Sequence, residues 1–157
     1  MSLSNELQIG KAGEHLVCCD LILQGYNAFL ADQGLPYDVL VDINGEIKKI
    51  QVKTTTKLVS NKKTKDIYRF GLRRGKGGKG RLKEVDCDYY AFVALDIKSI
   101  AYIPMKEMYA RNKKLKQTMD FKSKNIKYTG RVYANGTIRK PEWGKYLQDF
   151  NKICLGQ

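Results

Sequence analysis

At 157 residues the chain is the size of one domain with a real core, and its 29 Lys and Arg against 16 Asp and Glu give a net charge of +13 and a pI near 9.6. A polyanion is the expected partner for that charge, and no basic amphipathic helix or apolar run of spanning length argues for a membrane instead. The opening MSLSNELQIGK has neither a basic leader nor an apolar core, and the four cysteines, Cys18, Cys19, Cys87 and Cys154, show no metal spacing, so a reduced cytoplasmic chain, nucleoid-associated when bound to DNA, is expected.

Residues 4–24 predict a helix, N-capped by Ser2 or Ser4 and stopped by Gly25. At 100° per residue Leu7, Val17, Cys18, Leu21 and Ile22 gather on one face, with Glu14 at its centre. A carboxylate on an apolar face needs a cation or several donors beside it. A metal meets that need, and so does a salt bridge with Lys11 or Lys53. His15, the only histidine, lies off that face and reads as a solvated or satisfied structural histidine.

Residues 26–30 predict a short strand, and the loop 31–35 delivers the chain to a hairpin at 36–54, PYDVLVDINGEIKKIQVKT. Asn44-Gly45 between runs of β-branched residues is a strong two-residue turn signal. Because side chains alternate faces, Gln51 and Lys53 point together while Ile50 and Val52 point the other way. The turn brings Asp38, at the head of the first strand, beside Gln51 and Lys53 at the end of the second. A carboxylate, an amide and an ammonium converge, which suits a divalent cation held against a phosphate. Asp42 and Glu46 read as ordinary solvated or ladder-end acids.

Residues 57–83 carry eleven Lys and Arg against one acid, Asp66. Tyr68, Phe70 and Leu72 alternate with Arg69, Gly71 and Arg73, which is strand periodicity with a basic face. A ribbon for duplex DNA is expected here, with Lys57, Arg69, Arg73, Arg74, Lys76, Lys79, Arg81 and Lys83 as its contacts. The glycines at 75, 77, 78 and 80 lack the spacing of a nucleotide-triphosphate loop and read as a flexible basic tip. Residues 90–95 predict a buried central strand, with Asp86 and Asp88 read as capping acids more readily than as extra metal ligands. Residues 100–103 predict another strand, and Pro104 is expected to open a helix running to about 111. Residues 113–124 read as surface loop, 126–140 as a hairpin turning at Asn135-Gly136 with Arg131 as a DNA contact, and 141–154 as an amphipathic helix striped by Trp143, Leu147, Phe150 and Cys154.

The acid, the hairpin, the Gln-X-Lys and the helix glutamate together resemble the PD-(D/E)XK nuclease superfamily, whose signature is an acid at the head of one strand and acid-X-Lys on the next. The pattern is similar in particular to the small nucleases encoded within group I introns, and more distantly to archaeal Holliday junction resolvases. Residue by residue, the acid is Asp38, the acid-X-Lys is Gln51-Val52-Lys53, and the helix glutamate is Glu14. Two departures stand out: Tyr37 separates Pro36 from Asp38, and Gln51 replaces the usual second carboxylate. An amide oxygen can ligate a hard cation but brings no charge, which implies weaker metal binding or a single ion.

The resemblance implies an α/β protein (an α+β mixed sheet) with a restriction-endonuclease-like core, a mixed β-sheet flanked by helices. It implies one nuclease domain over 1–157 with a basic insertion at about 57–83, and Mg2+, with Mn2+ as a substitute. Asp38 and the Val52 carbonyl would hold the ion and Glu14 would contribute further. Lys53 would stabilise the attacking water, and Gln51 would orient the metal shell or the nucleophile. The implied partner is double-stranded DNA carrying a long, partly palindromic site, cut by a dimer or a dimer of dimers to begin intron transfer. A junction resolvase, a restriction-type nuclease, a DNA-binding protein with a dead site and a basic RNA-binding protein remain alternatives.

Overall fold

The computed structural model describes residues 5–60, 66–74, 80–81, 86–122, 131–132 and 138–139. The chain opens with helix α1 (Glu6–Leu23), followed by strands β1 (Asn27–Leu30), β2 (Val39–Ile43) and β3 (Glu46–Thr55). Further strands are β4 (Ile67–Gly71), β5 (Arg73–Arg74), β6 (Gly80–Arg81), β7 (Tyr89–Ala94), β8 (Ser99–Pro104) and β9 (Thr118–Lys122), then the short pair β10 (Arg131–Val132) and β11 (Ile138–Arg139). The main sheet has five strands in the order β1-β2-β3-β7-β8, with β3 and β7 parallel and every other neighbour antiparallel. A mixed sheet with a helix on one face is the expected fold class.

The two faces of this sheet are covered differently, and strand alternation sorts the side chains between them. On one face Val39, Val41, Ile50, Ala91, Val93, Ile100 and Tyr102 pack under Val17 and Leu21 of α1. Tyr102 Oη donates to Asp20 Oδ2 at 2.5 Å and ties the helix to β8. On the other face Tyr90, Phe92, Ala101 and Ile103 lie under Tyr68 and Phe70 of β4, Leu72, and Phe121 of β9. Phe92 sits at the centre of that cluster, with ring centroids 5.1 Å from Phe70, 5.5 Å from Tyr90 and 5.5 Å from Phe121. Contacts of this kind add to the area they bury, so Phe92 is a principal support of the fold.

The helix is set down on the sheet at one close approach. A Cβ on Gly13 would lie 1.9 Å from Thr54 Oγ1, so only glycine lets α1 reach β3 there. This contact turns the helix from its expected orientation. Its buried line is Gly13, Val17 and Leu21, while Leu7 and Ile22, expected on the core face, are 78% and 53% exposed. Glu14 consequently stands at the margin of the buried face rather than its centre. The N-cap is Asn5, whose Oδ1 accepts from Leu7 N–H at 2.9 Å, in place of Ser2 or Ser4. His15 is exposed, as expected.

Three other expectations are corrected. Pro104 opens only one 3-10 turn, Met105–Met108, after which Tyr109 is extended. Tyr109 pairs with Leu115 and Ala110 N–H donates to the Lys114 carbonyl, so the chain turns back there instead of continuing helically. Part of 113–124, read as loop, is β9, which pairs antiparallel with β4. The alternation of β4 is real, but its apolar face, Tyr68 and Phe70, closes the core, and its partner is this distant strand rather than the next one in sequence. Local periodicity reported that a strand exists and could not report which strand it joins. The expected helix at 141–154 lies outside the described residues.

Candidate active site

Asn44 and Gly45, with φ of 54° and 87°, form the tight turn their sequence predicts, and Gly45 N–H donates to Asp42 Oδ1 at 2.7 Å. The hairpin that follows is unequal. β2 pairs only with residues 46–50 of β3, and β3 then runs on through residues 51–55 paired with β7 alone. Among the described residues no strand pairs with its other edge along that second half, the open edge of the strand. A strand residue presents its N–H and C=O to the same side, and successive residues alternate sides. Lys49 exchanges main-chain bonds toward β7 and Ile50 toward β2, so Val52 must face the open edge with both its groups.

Asp38 occupies that edge, one residue before β2 begins. Its main chain is fixed by N–H donation to the Ile50 carbonyl at 2.9 Å, and its carbonyl accepts from Ala31 N–H at 2.9 Å. Its carboxylate Oδ2 accepts from Val52 N–H at 2.8 Å and, in a short contact, from Gln51 Nε2. The same Gln51 nitrogen lies 3.4 Å from the Val52 carbonyl oxygen. Burial pushes the Asp38 carboxyl above the usual carboxylate range, and neighbouring Glu14 adds to the rise. The Val52 N–H, Lys53 and Lys11 act the other way without cancelling it.

From the helix side, Glu14 reaches the same region and is held by Lys11 Nζ at 2.6 Å. A cavity of about 340 Å³ opens between α1 and the loop before Asp38, lined by Lys11, Glu14, Ala31, Gly34, Leu35 and Asp38 among others. The structure therefore brings together all four expected residues, Glu14, Asp38, Gln51 and Lys53, with the Val52 carbonyl among them. The ion pair offered as the alternative role for Glu14 is present as well, with Lys11 as the partner. Lys11 lies three residues before Glu14 on the helix, a spacing that was legible, but its position at the mouth of the cavity was not.

The donors fit a hard divalent cation. Asp38 Oδ2 and the Val52 carbonyl are oxygen donors that both lie near Gln51 Nε2 and could ligate such an ion, and the Gln51 amide could supply a third oxygen by turning over. The set is poor in charge: among the described residues no three His, Cys, Asp or Glu side chains group as a metal cage. Asp88, weighed as an extra ligand, instead accepts from Lys49 N–H at 2.8 Å on the opposite edge of β3.

The expected DNA contacts are scattered. Lys57 is exposed just beyond β3. Arg69 is exposed and forms a forked pair with Asp120, both bonds 2.9 Å. Arg73 and Arg81 are cross-strand partners in the β5–β6 ribbon, with Arg74 opposite Gly80, while Arg131 is paired with Arg139 between β10 and β11. Lys76, Lys79 and Lys83 lie outside the described residues, as do the glycines at 75, 77 and 78.

Among known proteins, the family described as PD-(D/E)XK endonuclease matches residues 4–132. No curated protein matches the chain at a significant level. Among solved structures, a bacterial homing endonuclease, I-Ssp6803I, shares the fold with a TM-score of 0.64 at 17% identity, over 98% of this chain and 94% of that one.

Proposed function

Because the chain belongs to the PD-(D/E)XK endonuclease family, we propose that it is a site-specific DNA endonuclease that uses Mg2+, or Mn2+ in its place, to make a double-strand break that starts intron transfer. The observation that carries this reading is the open second half of β3, where Gln51, Lys53 and the Val52 main chain gather around Asp38, with Glu14 and a cavity on its helix side. The cation, when bound, neutralises charge that builds on the phosphoryl oxygens. The chain's own residues do the rest. Asp38 and the Val52 carbonyl would hold the ion, Lys53 would support the attacking water and the developing charge, and Glu14 would orient water from the helix side. Lys11, already beside Glu14, is placed to meet the phosphate backbone.

The net charge of +13 supports a nucleic-acid partner, and the exposed Lys57 supplies part of the basic surface. One site cuts one strand, so two or more copies act together on a long, partly palindromic target. Residues 12–47 contain no Lys or Arg and six acids, and Phe29, Leu30, Leu35 and Ile47 are exposed there. Those exposed apolar side chains are candidates for contact with a second copy, while Glu14 and Asp38 of the same segment belong to the DNA-facing site. On this reading the enzyme works in the cytoplasm, bound to DNA.

The test is cleavage of a diverse plasmid library with Mg2+, with the cut ends sequenced, beside Asp38→Ala. Discrete double-strand cuts at one motif, lost in the variant, are expected. Cutting confined to four-way junctions would make the protein a resolvase instead. The neutral Gln51 favours one other reading, a DNA-binding protein with a dead site, which predicts tight salt-sensitive binding without cleavage of any substrate.

A further inference from the structure

The oxygens that a cation would take already have a donor set between them. Asp38 Oδ2 and the Val52 carbonyl are pure acceptors, and between them lies the Gln51 NH2 group, bonded to the first and 3.4 Å from the second. With no cation present only this orientation of the amide is tolerable, because the reverse would set Oε1 against two acceptors with no proton between them. With a cation present the preference inverts, since NH2 would face the positive ion and Oε1 would ligate it.

We propose that the Gln51 carboxamide is the site's internal stand-in for its cation, bridging Asp38 and Val52 through NH2 at rest and turning over to present Oε1 when the ion enters. The inference rests on the reading of the protein as a cation-dependent nuclease. Lys11 does the matching job on the other flank, its ammonium 2.6 Å from Glu14. A glutamate at position 51 could not act this way. Without the ion it would set a second carboxylate against the half-buried Asp38, which already has Glu14 nearby. Gln51 thus gives up affinity in exchange for a neutral, hydrogen-bonded resting state, and ion entry is coupled to rotation of one amide.

The test is an Mg2+ titration of the wild-type protein and Gln51→Glu, followed by calorimetry and by the side-chain amide signals in 1H–15N spectra. The Gln51 signal is identified by its absence from the variant. At rest one Gln51 NH2 proton should be shifted downfield and protected from exchange, and saturating Mg2+ should remove that protection. Gln51→Glu should bind Mg2+ about tenfold more tightly, yet melt below the wild type in EDTA and recover that loss at saturating Mg2+. Wild-type binding of Mg2+ with the Gln51 amide unmoved, or a variant that binds no tighter, would overturn the inference and leave the nuclease reading standing. Absence of Mg2+ binding in both proteins would remove the two together.

Discussion

Two aspartates perform the same local task at opposite edges of β3. Asp38 stands one residue before β2 and accepts from Val52 N–H at 2.8 Å; Asp88 stands one residue before β7 and accepts from Lys49 N–H at 2.8 Å. Each finishes the strand's hydrogen bonding where a neighbouring strand has not yet begun. A carboxylate on a strand N–H is therefore a structural device in its own right and does not mark a reactive centre. What separates the two is company. Around Asp38 stand Gln51, Glu14, Lys11 and Lys53 beside a cavity. Near Asp88, Lys49 has its ammonium over the Tyr37 ring, 5.4 Å from its centre, and the Asp88 N–H donates to the Lys49 carbonyl.

The comparison can be broken at its lysines first. Lys53→Ala should lower the cleavage rate by about 10²–10³-fold with DNA binding largely kept, as expected for loss of one charge-stabilising group. Lys49→Ala should leave the rate within about threefold, because a half-exposed cation–π contact is worth only about 0.5–1 kcal/mol of stability. Single-turnover kinetics on the same target would separate the two. Equal losses would mean that both ends of the strand serve catalysis.

Gly13→Ala probes how the helix brings Glu14 to one end only. The added methyl group collides with Thr54, so the variant should lose about 1–3 kcal/mol of stability and about 10²-fold in rate through displacement of Glu14. Chemical denaturation and cleavage assays report the two effects separately.

A smaller effect follows from the raised Asp38 carboxyl. Its folded pKa lies above the unfolded value, so the folded state holds the proton more tightly. The associated stability is present below the unfolded pKa and is lost as pH rises through the folded pKa. At neutral pH the ionised carboxylate is a cost, so Asp38→Asn should stabilise the cation-free protein and raise its Tm. That gain should shrink as the pH is lowered through the carboxylate range, and thermal melts in EDTA across pH would show it. The smallest change is expected from Lys57→Ala, which should weaken DNA binding evenly across sequences and flatten the salt dependence by about one phosphate contact.

Much of the site was legible because its signals are local. Asn44-Gly45 sets the turn, alternation puts Gln51 and Lys53 on one face, and hairpin geometry returns Asp38 to them. Glu14 was legible as a carboxylate out of place on an apolar face, although the helix presents a different face to the sheet. The approach of Gly13 to Thr54 decides the helix rotation, and such a contact between distant residues leaves no mark in helical periodicity. The same limit explains β4. Its alternation identified a strand, but its pairing with β9 closes a core cluster that joins residues more than fifty positions apart. The run after Pro104 had a helix start signal and lacked any sign that Tyr109 would pair with Leu115.

The most direct measurement is cleavage of the cognate DNA by Asp38→Ala and Asp88→Ala side by side in Mg2+, with circular dichroism confirming that both are folded. Asp38→Ala should lose at least about 10³-fold in rate while remaining folded, and Asp88→Ala should lose about 1–2 kcal/mol of stability and cut within about tenfold of wild type. Cleavage by Asp38→Ala at the wild-type rate, or loss of cleavage in a stable, folded Asp88→Ala, would contradict the assignment of the open β3 edge as the active site.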